Sequence, residues 1–397
     1  MRIDAGHTPT TAVTGSAGPE HMRGYRPELD VVRFLAFSLV FLHHYLPRNP
    51  VPVRSSLVFS LVGFTGWRIL TSFANACAMG LCLFFALSAY LITELLFEER
   101  SLTGSVSVRK FYIRRALRIW PLYVFGIAIG IALAVAGHRP QDITEFMWYL
   151  LFVGNVYAGA FGWSENPMMV LWSISIEEQF YLIWPWAMRW LSRRALIMCA
   201  ALLIIAANIR LFSFGQRHAD TDITVWTNTF VQFEMFATGI LLSLAGKRVI
   251  RGNFGTGLLL AIAGPVLWFF ACFAFHVKEW GEAGFAASGT ILMVGYGLVA
   301  IGCAAVLHGF SIMGPSRMWH WATDLGRISY GLYVYHMLAG YAALALIRRL
   351  PILGLPGADR PMAILFTIIA ARLSYSWLES PFLRLKKRFE IVHSKPV

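Results

Sequence analysis

Apolar runs near 20 residues in length recur from residue 30 to residue 383. A lone helix needs roughly 20 apolar residues to cross the hydrocarbon of a bilayer. The pattern therefore predicts an all-α fold, a polytopic transmembrane helical bundle. The runs fall near 30–47, 74–97, 119–137, 172–191, 195–213, 224–245, 257–275, 285–307, 328–347 and 362–382, about ten spans. A weaker apolar stretch covers 143–158. Short alternating strands with their turn signals are missing, which argues against a membrane barrel. No internal repeat shows.

Charge refines the picture. Only 14% of the 397 residues are charged and 57% are hydrophobic, against about 25% charged in a soluble domain. The net charge of +13 does not point to nucleic acid, because the basic residues cluster at the ends of the apolar runs, where the positive-inside rule puts them. Arg23 and Arg26 precede the first run, and Arg109, Lys110, Arg114, Arg115 and Arg118 follow the second. Arg189, Arg193 and Arg194 follow the fourth, Lys247, Arg248 and Arg251 the sixth, and Arg384, Lys386, Lys387 and Arg388 the last. All face the cytoplasm if ten spans cross, both termini lie inside, and 143–158 is re-entrant or interfacial. Arg348 and Arg349 then fall outside, at a cost to this topology. Residues 1–26 read as a disordered cytoplasmic tail, 27–388 as one membrane domain and 389–397 as a short cytoplasmic tail. The five cysteines sit inside apolar runs, with no spacing that suggests a metal site or a disulfide framework.

Polar residues at membrane depth are the candidate chemistry. In RFLAFSLVFLHHYL, residues 33–46, Arg33 and His44 are eleven apart. That is close to three turns, so they share a face about 16 Å apart. Asp30 sits one turn before Arg33 as a partner, and His43 points about 100° away from His44. The bland reading is a snorkelling arginine and a packed histidine. In VLWSISIEEQFYLIWP, residues 170–185, Ser173 and Glu177 share one face and Ser175 and Gln179 another, with Glu178, Trp172 and Tyr181 among them. Acids favour helix starts, yet this density exceeds a cap. In the long interlude 84–123, Arg114, Arg115 and Arg118 form a basic face ahead of Pro121. It would clamp lipid headgroups or cradle the phosphates of an anionic cosubstrate. Ser88 lies deep, where a hydroxyl is tolerated. Ser329, Tyr333 and His336 follow four-then-three spacing, and Arg372 and Glu379 lie seven apart on one face of the last run as a salt network. Glu234 stands alone in FVQFEMFATGI.

Taken in order, these stretches resemble the membrane acyltransferase-3 family, polytopic O-acyltransferases that decorate bacterial surface glycans and some small metabolites. The resemblance covers about residues 27 to 388. Asp30, Arg33 and His44 fall on the family's LDGLRAIAVLLVVLFH pattern. FFALSAYLIT is similar to FFVLSGFLIT, with Ser88 matched and Ala89 and Tyr90 in place of Gly and Phe. RRALRIWPLY matches RRxxRIxPLY, and LWSISIEEQFYLIWP resembles HxWSLSVEEQFYLxWP, with Val170 where the family has His. ISYGLYVYH, ending at His336, resembles ISYSLYLxH, and LSYSWLESPF resembles LSYRFIEKPF.

The resemblance implies an enzyme of the bacterial cytoplasmic (inner) membrane. It would use acyl-CoA, acetyl-CoA first, as cosubstrate, with no permanently bound cofactor and no metal. The acceptor would be a hydroxyl of a cell-surface polysaccharide or its lipid-linked precursor. Arg33, Arg114, Arg115 and Arg118 would bind the donor, His44 would act as general base, and Glu177, Glu178 and His336 would be further catalytic candidates. Asp30, Ser88, Trp172, Ser173, Ser175, Gln179, Tyr181, Glu234, Arg372 and Glu379 would be structural or orienting. Longer family members carry a fused C-terminal hydrolase-like domain, which is not expected here. Beside this stand acylation of a small secreted metabolite such as a macrolide, and a carrier that moves a glycan or metabolite without chemistry. A carrier would be expected to show inverted repeats or paired broken helices. Membrane lipid and a carbohydrate or small-molecule acceptor are the expected partners; the oligomeric state is not legible.

Overall fold

The structure, a computed structural model, describes residues 26–46, 57–217, 222–246, 252–278, 288–314, 319–349 and 358–392. Among these residues there is no strand, and the chain is an all-α, multi-pass membrane protein. The helices in chain order are α1 (Pro27–Tyr45), α2 (Leu57–Cys77), α3 (Met79–Thr103), α4 (Val108–Ala136), α5 (Pro140–Leu150) and α6 (Gly154–Phe161). They continue with α7 (Trp172–Trp190), α8 (Arg193–Arg217), α9 (Asp222–Trp226), α10 (Thr229–Ala245), α11 (Phe254–Phe275) and α12 (Gly289–Met313). The last are α13 (His320–Arg327), α14 (Ser329–Arg349), α15 (Asp359–Ser374) and α16 (Ser380–Lys386).

Seven helical stretches among the described residues are long and apolar enough to cross a bilayer. They take in seven of the ten expected runs. The other three are α1, α7 and α10. The first two carry charges inside their apolar stretch, and α10 has only 17 residues. The run expected at 224–245 is broken, because the Asn228 side chain accepts from the backbone N–H groups of Phe230 and Val231 and so starts α10 afresh. Of helix α2 only the last turn, from Ala74 to Cys77, falls within an expected span. Arg68 and two glycines interrupt its apolarity, and Gly63 kinks it at φ 65°. The arginine is satisfied inside the bundle, where it donates to the Phe273 carbonyl at 3.1 Å. The weak stretch 143–158 becomes two short helices, α5 and α6, neither long enough to span. Between them Phe152 adopts φ 54°.

Close helix approaches define the core. A side chain at Gly239 on α10 would meet the Ala86 carbonyl of α3 at 2.0 Å, and one at Gly326 on α13 would meet the Asp30 carbonyl of α1 at 1.9 Å. The outward faces are apolar: on α8, Ile197, Met198, Leu202, Ile205 and Ile209 are all exposed. They recur at helical spacing, as a lipid-facing stripe does. Of the expected tails, residues 1–25 and 393–397 lie outside the described residues. The nearer ends belong to the folded domain: Arg26 bonds Glu28 at 2.7 Å, and Val392 is buried.

Candidate active site

The polar groups of α1, α3, α4, α7 and α14 converge on one cavity of about 850 Å³. Its basic end is formed by Arg26, Arg33, Arg114, Arg115, Arg118 and Lys386, and its deeper wall by Phe84, Ser88, Ser173, Glu177, Tyr181 and Tyr333. Eight of the expected site residues therefore line a single space: Arg33, Ser88, Arg114, Arg115, Arg118, Ser173, Glu177 and Tyr181.

The cations of the basic end are not equivalent. Arg33 pairs with Asp30 one turn below it, as the sequence spacing implied. Arg114 is committed to structure. It bonds the buried Glu99 at 2.7 Å and the Phe389 carbonyl at 3.0 Å, and so ties the end of α3 to α4 and to the turn after α16. Lys386 pairs with Glu390 at 3.0 Å. Arg115 and Arg118 differ, for neither makes an ion pair among the described residues. Arg115 lies over the rings of Phe111 and Tyr181, 5.5 and 5.4 Å from their centroids. Two guanidiniums lining one cavity without an ion pair among the described residues are suited to bidentate contacts with phosphate.

Helix α7 sorts its polar residues by face. On the cavity side Ser173 Oγ and Tyr333 Oη share a hydrogen bond of 2.6 Å, and Tyr333 also donates to the Val170 carbonyl at 3.1 Å. One turn on, Glu177 accepts from Ser88 Oγ and from Tyr181 Oη, each at 3.0 Å. The other face fixes the helix. Gln179 donates to the Phe152 carbonyl at 2.8 Å and to Asn155 at 2.9 Å, and accepts from Thr229 at 2.7 Å. Ser175 accepts from the Gly154 amide at 3.2 Å. The irregular backbone between α5 and α6 is thus satisfied inside the protein, the condition for such backbone at membrane depth. Glu178 turns to Trp120, 3.4 Å away, and Trp172 packs on Trp163, so neither lines the cavity.

The histidines lie behind the deeper wall. The His43 ring bonds the Ala74 carbonyl at 2.8 Å and pins α1 to α2. His44 instead faces His336, with ring centroids 5.1 Å apart. His336 is fully buried against Tyr333 and Phe37. Neither His44 nor His336 borders the cavity itself; Tyr333 stands between it and His336.

Two expectations change, for the pair Arg372 and Glu379 and for Arg114. Arg372 and Glu379 do not share a face. The chain forms a π turn over Tyr375–Glu379, which adds a residue to the helical period and turns Glu379 inward. Glu379 is buried beside Ser374, 3.4 Å away, while Arg372 is exposed. Glu234 is buried on α10 and does not reach the cavity. Arg114 contributes through Glu99 rather than as a free cation. Sequence reading missed the Arg26, Tyr90 and Glu94 cluster at the rim, where Tyr90 donates to Glu94 at 2.7 Å. The one signal available was Tyr90 itself, in place of the family's Phe.

A multi-helix membrane domain with a basic-ended internal cavity defines the class of protein. The acyltransferase domain model matches residues 26–375, and the chain belongs to that family. It is similar to the peptidoglycan O-acetyltransferase OatA of Listeria monocytogenes, 26% identical over 385 residues, covering 91% of this chain and 56% of that one. It is similar to O-acetyltransferase OatA of Staphylococcus aureus, 22% identical over 360 residues, covering 85% and 58%. Nodulation protein 10 of Rhizobium leguminosarum is 26% identical over 406 residues, covering 92% and 96%. The chain thus spans a little over half the length of the two OatA proteins. No solved structure matches the chain.

Proposed function

We propose that the chain is an O-acyltransferase of the bacterial cytoplasmic membrane. It moves an acetyl group from acetyl-CoA to a hydroxyl of a cell-surface polysaccharide or its lipid-linked precursor. Family membership and the two O-acetyltransferase relatives support the reaction class. The observation that carries the donor is the pair Arg115 and Arg118, which line the cavity and make no ion pair among the described residues, where its other cations do.

In this reading the basic end opens to the cytoplasm, with both termini on that side, because CoA is made there and basic loops stay there. Arg115, Arg118 and Arg33 hold the CoA phosphates. The acyl arm runs along Ser88 and Glu177 to the Ser173–Tyr333 pair. Helix α1 is unbroken from Pro27 to Tyr45, so His44 lies about 16 Å beyond Arg33. There His44 takes the proton of the acceptor hydroxyl. The hydroxyl oxygen bonds the acyl carbon, the carbon–sulfur bond breaks, and the electron pair leaves on sulfur. The proton on His44 then passes to the CoA thiolate, so histidine and enzyme return to their starting state.

Equilibrium binding of acetyl-CoA to the full chain in lipid nanodiscs tests the donor site. Arg115→Ala and Arg118→Ala are each expected to raise Kd about tenfold, the lower end of a charged hydrogen bond's worth. An unchanged Kd in both, or no binding by the wild type, would contradict the assignment.

A further inference from the structure

His336 is a fully buried imidazole, and the fold fixes its proton. Its Nδ1 lies 2.5 Å from the Tyr333 carbonyl, one turn back on the same helix. A carbonyl only accepts, so Nδ1 is the protonated nitrogen and Nε2 carries the lone pair. With Nδ1 turned to its own helix, the opposite edge of the ring faces α1, whose Phe37 and His44 are its ring neighbours. Nε2 has no hydrogen-bond partner among the described residues. A buried acceptor left unbonded costs free energy and calls for an explanation. His44 is half-buried beside His336.

We propose that His336 is a positioning residue for His44. The Tyr333 carbonyl, His336 and His44 form a chain in which each group sets the tautomer of the next. The Nε2 lone pair of His336 accepts an N–H from His44, which leaves the other His44 nitrogen as the base. When His44 takes the acceptor's proton, the imidazolium keeps this bond and its charge is shared with His336. The bond closes on substrate binding from the present 5.1 Å ring separation, as catalytic hydrogen bonds do. It is the base-plus-orienter logic of an activated nucleophile, built from neutral groups. No carboxylate is required, which suits a site where buried charge is costly.

This rests on the reading above, in which His44 is the base, and the test separates the two. Membranes containing the full chain receive acetyl-CoA labelled in the acetyl group, and kcat and KM for acetyl-CoA are read from label entering the glycan fraction. In His336→Asn the amide nitrogen keeps the bond to the Tyr333 carbonyl and nothing replaces Nε2. In His336→Gln the amide oxygen stands near Nε2 and can accept. His336→Asn is expected to lower kcat about a hundredfold or more with KM within twofold, and His336→Gln to recover at least a tenth of wild-type kcat. A merely structural role would move both variants alike, or move KM. His336→Asn within threefold of wild type, while His44→Ala is inactive, would overturn the role of His336 and leave the acyltransferase reading standing. Full activity in His44→Ala, or no label with wild type, would overturn both.

Discussion

At the basic end of the cavity most cations meet a carboxylate: Arg26 has Glu28 and Glu94, Arg33 has Asp30, Arg114 has Glu99 and Lys386 has Glu390. Around His336, behind the deeper wall, the described contacts run through neutral groups, a Ser173–Tyr333 hydroxyl pair, the Tyr333 carbonyl and the His336 ring. In the proposed orientation, depth explains the difference. Near a membrane face a charge with a partner and some water is tolerated. Mid-membrane, a lone charge costs about 2.5–3.5 kcal/mol even on insertion scales. Imidazole, neutral until it takes a proton, suits proton chemistry at such depth.

The sharpest break of this contrast is His44→Ala. It is expected to cut acetyl transfer by roughly 10²–10⁴-fold while Kd for acetyl-CoA stays within twofold, as kinetics beside a binding assay would show. Next comes Arg114→Ala. Glu99 is 1% exposed, and stripping its partner leaves a buried charge, at a cost of about 3 kcal/mol. The effect is read as a lowered Tm, partly restored when Glu99→Gln is added. Arg118→Ala is smaller and different in kind, about 1.5–3 kcal/mol lost from donor binding, visible as a raised KM with Tm unchanged. Arg372→Ala closes the series. Its side chain is exposed and outside the cavity, so transfer and Tm are expected to hold within about 0.5 kcal/mol. Should Arg372→Ala weaken donor binding as much as Arg118→Ala, the division between the cavity cations and the rest would fall.

What could be read in the sequence follows from what is periodic. Ser173 and Glu177 on one face of α7, and Ser175 and Gln179 on another, are fixed by 100° per residue, and the structure places them so. The pairing of Arg33 with Asp30 and the common face of Arg33 and His44 follow the same rule. Where the period fails, reading fails. The π turn at Tyr375–Glu379 adds a residue that no pattern announces, and it parts Glu379 from Arg372. Helix α2 hid because Arg68 finds its partner 205 positions away, at Phe273. The same holds for Arg114 with Phe389 and Tyr333 with Val170, contacts made by tertiary packing alone. His43 and His44 are neighbours in sequence, and only the packing of α1 between α2 and α14 gives one to a carbonyl and the other to His336.

In the proposed mechanism one cavity binds acyl-CoA at its basic end and delivers the acyl group to a histidine-activated hydroxyl. The most direct test follows label from acetyl-CoA, labelled separately in the acetyl carbon and in the CoA adenine, in membranes bearing wild type, Arg118→Ala or His44→Ala. Acetyl label, without adenine label, is expected in the glycan fraction for wild type. Saturating donor would recover it in Arg118→Ala, and no donor concentration would recover it in His44→Ala. Acetyl label undiminished in His44→Ala, or no acetyl label from wild type, would contradict it.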